Sequence, residues 1–307
     1  MKKVVFLGDC NVDLIMDGLE DDPGPDKEIG CASFHIAMGA SSCIAAAAYA
    51  SLGGDARVCG LCGDDEFGKL MREKLAAAGV RTDMVRCAAS EKTGVTVNLV
   101  RGAARYQVTY PGAMVRFTLT DIPDALFHDL RHLHISGVYQ TKALLPHVAG
   151  ILARAADAGA TTSLDCQWDP GERWEGLDSW LPRLSWLFAN AQEARSMTGT
   201  NGTAEALRAL ADQTPCPVVK TGAEGARAIV NGRETLVPAA PVDVVDTIGA
   251  GDNFNAGFLF AVMEKDMHLL EAVRFANAAG GLSCTFRGGT DARSSWQDVC
   301  HFMEKQT

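Results

Sequence analysis

The sequence lacks an excess of positive charge. Its 28 Lys and Arg residues are outnumbered by 38 Asp and Glu residues, which gives a formal net charge of −10. A negatively charged surface is repelled by nucleic-acid phosphates and by acidic lipid head groups. We therefore expect neither a nucleic acid nor a membrane as a partner.

Long hydrophobic runs and a secretory leader are also lacking. The longest uncharged run, residues 36–54, is interrupted by Gly39 and by serines, which favours a buried Ala-rich helix over a membrane span. Met1-Lys2-Lys3 leads straight into a strand-like segment with no small-residue cleavage site. Ten cysteines without such a leader are typical of reduced thiols in a cytosol, so we expect a cytoplasmic protein.

The metal-binding patterns in the chain are incomplete. Cys59 and Cys62 have the spacing of a redox or zinc motif, but no second cysteine pair has matching spacing. His128, His132 and His134 are close in sequence but span a predicted helix-to-strand junction, which favours solvated or core histidines. We expect neither a redox site nor a zinc site from these residues.

Residues 63–70 nearly match the P-loop pattern of phosphate-binding loops. Leu70 stands where that pattern requires a hydroxyl for magnesium, and three carboxylates occupy the arc that should cradle phosphate. We predict instead a loop that ends at the start of a helix, where acidic side chains are favourable.

Strand-like and helix-like segments alternate along most of the chain, which is typical of a parallel sheet with crossover helices. The predicted core strands are residues 4–8, 57–61, 132–136, 161–165, 186–189 and 217–220. The predicted helices include residues 42–52, 67–78, 145–158 and 204–211. Asn231-Gly232 predicts a type I′ hairpin, and residues 236–245 are expected to form a strand that leads into a turn.

Two regions, residues 12–36 and 93–117, depart from this rhythm. Apolar and polar residues alternate there with a period of two, as in Thr93–Val100. The alternation predicts antiparallel β-ribbon that lies apart from the main sheet.

The segment of residues 246–258 is the most informative part of the chain. It reads Asp-Thr-Ile-Gly-Ala-Gly-Asp-Asn-Phe-Asn-Ala-Gly-Phe and continues with apolar residues at helical spacing. Gly249, Ala250 and Gly251 therefore lie where a loop becomes a helix, and their uncovered N–H groups and the helix dipole suit an anion. Asp252 follows as a carboxylate that could accept a proton beside that anion, as phosphoryl transfer to an alcohol requires. The plainer alternative is a helix cap with an Asp in the first turn.

This segment resembles the C-terminal signature of the ribokinase-like carbohydrate kinases, the PfkB family. Other family-like motifs precede it in the expected order, at residues 8–13, 60–68, 190–193 and 219–225. The resemblance covers about residues 4–290. It implies one ribokinase-like α/β domain over residues 1–307, with a three-layer α/β/α core, a mainly parallel central sheet and a small β-sheet lid formed by residues 12–36 and 93–117.

The resemblance also implies an activity, that of an ATP-dependent carbohydrate kinase that phosphorylates a hydroxyl group of a sugar or sugar derivative. It implies ATP and Mg²⁺ as cofactors, activation by K⁺, and a homodimer formed through the lid. A nucleoside kinase of the same family and a non-catalytic sugar-binding protein are the alternatives. A Rossmann dehydrogenase is disfavoured because Gly8 is followed by acidic residues and not by the further glycines that a pyrophosphate requires.

For the sugar, the resemblance assigns residues near the first strand, in the lid and after a central strand. The substrate-binding candidates are Asp9, Asn11, Asp13, Gly39, Cys43, Arg105 and Asp165. Cys43 replaces an Asn that many relatives carry, and Met38 replaces the first glycine of the usual pair. Because a thiol is a poor hydrogen-bonding substitute for an amide, we expect a less polar pocket and a poor fit to free ribose. Residues 166–168, Cys-Gln-Trp, also depart from the usual Pro-Asn-Arg.

For the nucleotide, the resemblance assigns residues in the C-terminal half. The candidates are Asn190, Glu193, Lys220, Gly222, Gly225 and Asn277. Lys220 would stabilise phosphate charge as a point cation. Asn190 and Glu193, three residues apart on one helical face, would organise magnesium through water. Asp246 and Ile248 match positions that bind a monovalent cation in relatives.

Overall fold

The computed structural model describes residues 2–102, 104–286 and 294–305. These residues form a nine-stranded sheet with helices on both faces, and a separate four-stranded sheet. This is the predicted fold class, with the smaller sheet as the lid. No helix within the described ranges is both long and apolar enough to cross a membrane.

The elements alternate as the sequence predicted. The strands are β1 Lys3–Gly8, β2 Asn11–Leu19, β3 Cys31–Met38, β4 Ala56–Gly63, β5 Arg81–Ala88, β6 Gly94–Arg101, β7 Ala104–Tyr110, β8 Leu130–Ser136, β9 Thr161–Asp165, β10 Trp186–Asn190, β11 Pro217–Lys220, β12 Ala226–Val230 and β13 Arg233–Val237. The helices are α1 Ser41–Ser51, α2 Glu66–Ala77, α3 Val148–Asp157, α4 Leu177–Trp180, α5 Ala191–Thr198, α6 Thr203–Ala211, α7 Ala250–Lys265, α8 Leu269–Ser283 and α9 Trp296–Glu304.

The main sheet gathers the ends of its parallel strands at one edge. Its strand order is β13-β12-β11-β10-β9-β8-β1-β4-β5. The pairs from β11 to β5 are parallel, whereas β12 and β13 form an antiparallel margin. Ligands of open α/β sheets bind outside the carboxyl ends of the parallel strands. Four candidate residues lie at or just beyond those ends: Asp9, Asp165, Asn190 and Lys220.

Apolar packing closes both faces of the main sheet. One face packs α1, α2, α7, α8 and α9 around large aromatic side chains, and the rings of Phe188 and Phe258 lie 5.2 Å apart. The other face packs α3, α4, α5 and α6 around Leu164 and Trp180. Close-packed protein interiors resist deformation. The strand ends therefore form a rigid platform for a site.

The lid has two chemically different faces. Its strand order is β3-β2-β6-β7, in which two antiparallel hairpins are joined by a parallel pairing of β2 with β6. Successive side chains of a strand point to opposite faces. The outer face consists of three apolar rows that cross all four strands: Phe34–Met16–Leu99–Tyr106, Ile36–Leu14–Val97–Val108 and Met38–Val12–Val95–Tyr110. At one corner of this face, Val12 and Met38 are buried in the core of the main body. The inner face carries Asp13, Thr96, Asn98, Gln107 and Thr109 among others.

Some predicted elements have different bounds. The lid part of residues 93–117 ends at Tyr110, because Pro111 leads into a 3₁₀ turn over Gly112–Arg116. The helix predicted at 145–158 begins as a 3₁₀ turn that contains Pro146, and the α-helix starts only at Val148 because proline has no N–H to donate. The strand predicted at 236–245 ends at Val237, just before Pro238. β5, at the edge of the sheet, was not predicted, because Met84 is its only buried residue and the hydrophobic signal is weak.

Other local predictions are confirmed. Asn231 and Gly232 both have left-handed φ angles, 52° and 74°, as a type I′ turn requires. The P-loop-like segment is a loop that ends at α2, where Asp65 accepts a hydrogen bond from the Gly68 N–H at 2.9 Å. All ten cysteines lie in described residues and are free thiols, and the reduced, cytosolic state expected of them stays a prediction. His132 and His134 are buried, and His128 is exposed.

Candidate active site

The start of α7 has the geometry of an anion site. Gly249 precedes the helix with a left-handed φ of 73°, which favours glycine because it has no Cβ. A Cβ on Gly251 would lie 3.1 Å from the Lys220 ammonium, so the missing side chain is what lets this cation approach the helix start. The first N–H groups of a helix lack partners within the helix, and the dipole adds positive potential there. Here the Ala250 N–H donates to the Thr247 carbonyl oxygen of the preceding turn at 3.2 Å. Gly249, Ala250 and Gly251 thus lie where the sequence predicted an anion hole.

Asp252 is buried in the first turn of α7. Burial is the main reason that its pKa lies well above the usual range of a carboxyl, and the negative charges of Asp165 and Asp9 act in the same direction. The Lys220 ammonium opposes them. A carboxylate whose pKa is raised binds a proton more strongly, which suits a general base.

Lys220 is held by a buried ion pair. Its Nζ donates to Asp165 Oδ2 at 2.7 Å, and Asn255 Nδ2 donates to the same oxygen at 2.6 Å. Although burial works against charge, the Lys220 ammonium lowers the pKa of Asp165, and Asp165 in turn raises the pKa of Lys220. Asp165 therefore contacts the cation of the nucleotide half, and its expected contact with the sugar stays a prediction. The sequence analysis missed Asn255, although it lies three residues after Asp252 in the same motif.

Asn11, Asp13 and Gly39 meet where the lid joins the main body. A Cβ on Gly39 would overlap the Asp13 carboxylate and lie 2.7 Å from Asn11 Oδ1, so the glycine leaves room for both. Asn11 Nδ2 donates to Thr96 Oγ1 at 2.7 Å, and within the described residues its buried Oδ1 has no hydrogen-bond partner. Burial raises the pKa of Asp13 to about 7, the charge of Asp9 adds to the rise, and Arg105 opposes it.

Asp9 has a structural task that the sequence analysis did not assign. Its carboxylate accepts from the N–H groups of Ser41 at 3.3 Å and Ser42 at 3.2 Å, at the start of α1. This is how an acidic side chain stabilises a helix N-terminus. Burial raises the pKa of Asp9 to about 6 despite these bonds. Both of its carboxylate oxygens accept hydrogen bonds from α1. Its contact with the sugar stays a prediction.

Cys43 and Arg105 are placed differently. Cys43 is buried in α1, with its Sγ 3.8 Å from both Cys10 Sγ and the Asp9 carbonyl oxygen. Arg105 lies on β7, an exposed edge strand of the lid. Its positive charge acts on the site by opposing the rise in the pKa of Asp13. Neither placement tests the predicted contact with the sugar.

Ser41 and Gln167 belong to the site although the sequence analysis did not propose them. Gln167 Nε2 donates to Ser41 Oγ and, at 3.5 Å, to Asp252 Oδ1. Ser41 is buried. A hydrogen bond from its hydroxyl to Asp252 opposes the rise in the pKa of Asp252 that burial causes. The sequence contained one signal, the departure of residues 166–168 from the family pattern.

Asn190 and Glu193 form a capping box at the start of α5. Asn190 Oδ1 accepts from the Glu193 N–H at 2.9 Å, and Glu193 Oε2 accepts from the Asn190 N–H at 2.8 Å. Asn190 thus precedes the helix, whereas the sequence reading had both residues on a helical face. Burial raises the pKa of Glu193 to about 7, the charge of Asp165 adds to the rise, and Lys220 opposes it.

The remaining nucleotide candidates lie around the end of β11. Gly222 has a left-handed φ of 63° with open space around it, and a Cβ on Gly225 would collide with the Val237 carbonyl oxygen. Asn277 is buried in α8 and donates to that same oxygen at 2.8 Å. These residues therefore share one region, next to the loop that follows β13.

The loop before α7 connects the anion site to the lid. Asp246 Oδ1 accepts from the Ile248 N–H at 2.9 Å, which closes a short turn. The Ile248 side chain packs in a small apolar cluster with Ile15 and Ala37 of the lid. Both residues thus lie beside the helix start, where the sequence predicted a monovalent cation.

The chain is similar to known proteins over nearly its whole length. The family described as pfkB family carbohydrate kinase matches residues 1–296. The chain is 31% identical over 296 residues to the ATP-dependent ribose-1-phosphate kinase of Halopiger xanaduensis, with 95% of each chain covered. It is 29% identical over 310 residues to the aminoimidazole riboside kinase of Salmonella typhimurium, with 95% of this chain and 92% of the relative covered.

Solved structures show the same fold. The structure of Arabidopsis thaliana ribokinase complexed with ribose and ATP superposes with a TM-score of 0.85 at 23% identity, and covers 99% of each chain. A structure from E. coli in complex with ATP and Mg²⁺ superposes with a TM-score of 0.88 at 20% identity, and covers 99% of this chain and 100% of its own.

Proposed function

The chain belongs to the pfkB family of carbohydrate kinases, which are ATP-dependent phosphotransferases, and from this premise we propose that Asp252 is the general base of the reaction. One observation carries the proposal. The buried Asp252 carboxylate stands in the first turn of α7, beside a helix start that the Lys220 ammonium approaches. A base next to an anion site is what transfer of a phosphoryl group to an alcohol needs.

In the proposed reaction, the acceptor hydroxyl loses its proton to Asp252 as its oxygen attacks the γ-phosphorus of ATP. A new O–P bond forms while the bond between the γ-phosphorus and the β,γ-bridging oxygen breaks, and that oxygen leaves with ADP. The N–H groups of Gly249, Ala250 and Gly251 and the Lys220 ammonium stabilise the negative charge on the phosphoryl oxygens. Asp165 and Asn255 hold Lys220 in place for this task.

The proposed sugar site lies under the lid. The unpaired Asn11 Oδ1 and an ionised Asp13 can only accept hydrogen bonds, so they suit the hydroxyl groups of a sugar. A buried polar atom without a partner is unfavourable unless a ligand or water satisfies it. Gly39 lets the backbone approach the same place. Cys43 supports our expectation that free ribose is a poorer acceptor than another sugar or sugar derivative.

A nucleoside acceptor is the second candidate. The similarity to an aminoimidazole riboside kinase supports it. A riboside has the hydroxyl groups of ribose except the anomeric one, and it carries a base at the anomeric carbon. Turnover of sugars and ribosides in one ADP-coupled assay distinguishes the two. A higher specificity constant for ribosides than for any free sugar would replace the sugar by a nucleoside as acceptor.

We propose that Mg²⁺ is held through Glu193 and the ATP phosphates. The described residues contain no group of three or more His, Cys, Asp or Glu side chains that could hold a metal. The chain fits magnesium nonetheless, since this ion often keeps several waters and takes only one or two carboxylates. Bound there, it would neutralise phosphate charge. Asn190 orients Glu193 through the capping box.

Activation by K⁺ is part of the proposal. Asp246 and the carbonyl groups of the turn before α7 offer oxygen atoms, which alkali cations prefer as ligands. An ion there would stiffen the turn that leads into Gly249. The closed turn between Asp246 and Ile248 supports the site but does not select one ion.

We further propose a homodimer that forms through the outer face of the lid, with a second copy of the chain as its partner. The three apolar rows leave Phe34, Tyr106, Val108 and Tyr110 largely exposed, with Val108 at 66%. Monomers rarely expose apolar patches of this kind. The exposed face of a four-stranded sheet can be covered by its own symmetry copy, as isologous interfaces are.

The dimer is tested by the mass of the protein in solution. Val108→Glu should shift light-scattering mass from dimer to monomer, because an unpaired charge in an apolar interface is strongly unfavourable. Leu236→Glu, at an exposed apolar position of β13, is the matched control and should stay dimeric. A wild-type protein that is monomeric at micromolar concentration would contradict the proposal.

A cytosolic location completes the proposal. The ten thiols are all free, although Cys62 and Cys87 place their sulfur atoms 3.6 Å apart on neighbouring strands. Thiols so close stay reduced in a reducing compartment. Labelling of the thiols in intact cells, before any exposure to air, tests this.

The base is tested by Asp252→Asn, which keeps the shape of the side chain but removes proton acceptance. General-base catalysis contributes about 10²–10⁴-fold, so turnover should fall by at least that order while ATP still binds. Asp298→Asn is the matched control, since Asp298 also lies in the first turn of a helix but in α9. Near-normal turnover in Asp252→Asn, with a lower melting temperature, would return this residue to a capping role.

A further inference from the structure

Gln167 stands in an unusual backbone position at the end of β9. Its φ is 59°, a left-handed value that non-glycine residues rarely adopt. Its N–H donates to Asp165 Oδ1 at 3.2 Å, while the other oxygen of Asp165 binds Lys220. One carboxylate therefore anchors both the Gln167 backbone and the Lys220 cation. Such a strained conformation persists only where the surroundings hold it.

The side chain of Gln167 connects three elements of the fold. Its Nε2 has two N–H groups, one of which donates to Ser41 Oγ at the start of α1 and the other to Asp252 Oδ1 in α7 at 3.5 Å. A half-buried amide thus reaches from β9 across to both helix starts. Neither partner is adjacent to Gln167 in sequence.

We propose that Gln167 is a positioning residue that orients the Asp252 carboxylate and stabilises its ionised form. This inference rests on the proposed role of Asp252 as the base. A donor on one oxygen fixes the rotation of a carboxylate and favours its charged form over its neutral form. An amide does so without adding a cation that would compete with Lys220 for the phosphates.

The charged groups that face Asp252 set the scale of the effect. Asp165 at the end of β9 and Asp9 at the end of β1 disfavour ionisation of Asp252, and Lys220 at the end of β11 favours it. Gln167 and Ser41 are the neutral donors among these groups. Without the amide donor, burial, Asp165 and Asp9 still raise the pKa of Asp252, and only Lys220 and the Ser41 hydroxyl still lower it. The pKa of the base should therefore rise.

The test is the pH profile of kcat/KM for Gln167→Met, which preserves length but has no donor. We expect its acid limb to move to higher pH by about one unit, which is about a tenfold loss below the limb. The KM for ATP should stay within about twofold, since Lys220 and the anion hole are unchanged. Gln213→Met, at an exposed position after α6, is the matched control and should leave the profile unmoved.

A second variant guards against a folding defect. Gln167→Asn keeps the amide but is one methylene shorter, so it cannot reach Asp252 Oδ1 and should shift the acid limb in the same direction. Circular dichroism on each preparation identifies the folded variants. An unmoved acid limb in the folded variants, or a loss confined to the KM for ATP, would overturn the inference. Full turnover in Asp252→Asn would instead overturn the proposed base itself.

Discussion

Lys220→Met should lower the free energy of unfolding as well as the turnover of the enzyme. The side chain of Lys220 is 15% exposed and that of its partner Asp165 only 3% exposed, and they meet at 2.7 Å. Removing one member of a buried ion pair leaves an uncompensated charge, and such changes typically cost about 3–5 kcal/mol of the free energy of unfolding. At about 2 °C per kcal/mol for a chain of this size, the melting temperature should fall by about 6–10 °C.

The pH dependence of that loss has a definite sign. In the wild type the pKa of Asp165 is below its unfolded value, so its contribution to stability is present above the unfolded pKa and is lost as the pH falls through the folded one. In Lys220→Met only burial remains as the dominant influence, so the pKa of Asp165 should rise above the unfolded value. The variant should therefore recover stability on acidification, and its deficit should be smaller at pH 5 than at pH 8.

Thermal unfolding of three variants at the two pH values provides the assay. Lys220→Met alone should be the least stable, and the double variant Asp165→Asn with Lys220→Met should be more stable than it, because the charge of Asp165 is removed together with its partner. Asp165→Asn alone leaves the ammonium unpaired and should also lose stability. A deficit of Lys220→Met that is the same at both pH values, or a double variant no more stable than the single one, would refute this reasoning.

Three further predictions concern ligands. The pKa of Asp13 is raised to about 7 by burial, so the KM for the sugar should fall as the pH rises through about 7, and a KM constant from pH 6 to 8 would contradict the role of this carboxylate. Gly39→Ala places a Cβ against Asp13 and Asn11, so steady-state kinetics should show the KM for the sugar at least about tenfold higher and the KM for ATP little changed; equal effects on both would point to misfolding. Replacing K⁺ by tetramethylammonium at constant ionic strength and Mg²⁺ should lower turnover, and an unchanged rate would remove the cation near Asp246 from the proposal.

The sequence was sufficient for the fold and for residues whose position follows from strand ends. The resemblance assigned Asp9, Asp165 and Lys220 to the site, and each lies at or just beyond the end of a strand, where parallel strands bring their ends to one edge. The start of α7 was predicted because small residues before a helical repeat expose backbone N–H groups. These are local signals, and the fold class converts them into proximity.

The partners of these residues could not be predicted in the same way. Asn255, Gln167 and Ser41 act through contacts that join β9, α1 and α7, and nothing in the sequence measures such distances. Asn190 and Glu193 illustrate a local signal that was read too narrowly, because an Asn followed three residues later by Glu is also the pattern of a capping box. The capping of α1 by Asp9 likewise could not be predicted, because this helix begins 32 residues further along the chain.

The contact of Ile248 with the lid would couple the proposed sugar site to the proposed anion site. Ile248 is one residue before Gly249, and it packs against Ile15 and Ala37 of the lid, with Val100 beside them. If the lid lifted, it would remove this contact and release the turn that leads into the proposed anion site. Whatever favours the closed lid would then favour the ordered anion site, and linkage makes the effect reciprocal. Bound sugar should tighten ATP by the same factor by which bound ATP tightens sugar, so that an enzyme without its acceptor holds the nucleotide loosely and has little opportunity to hydrolyse it.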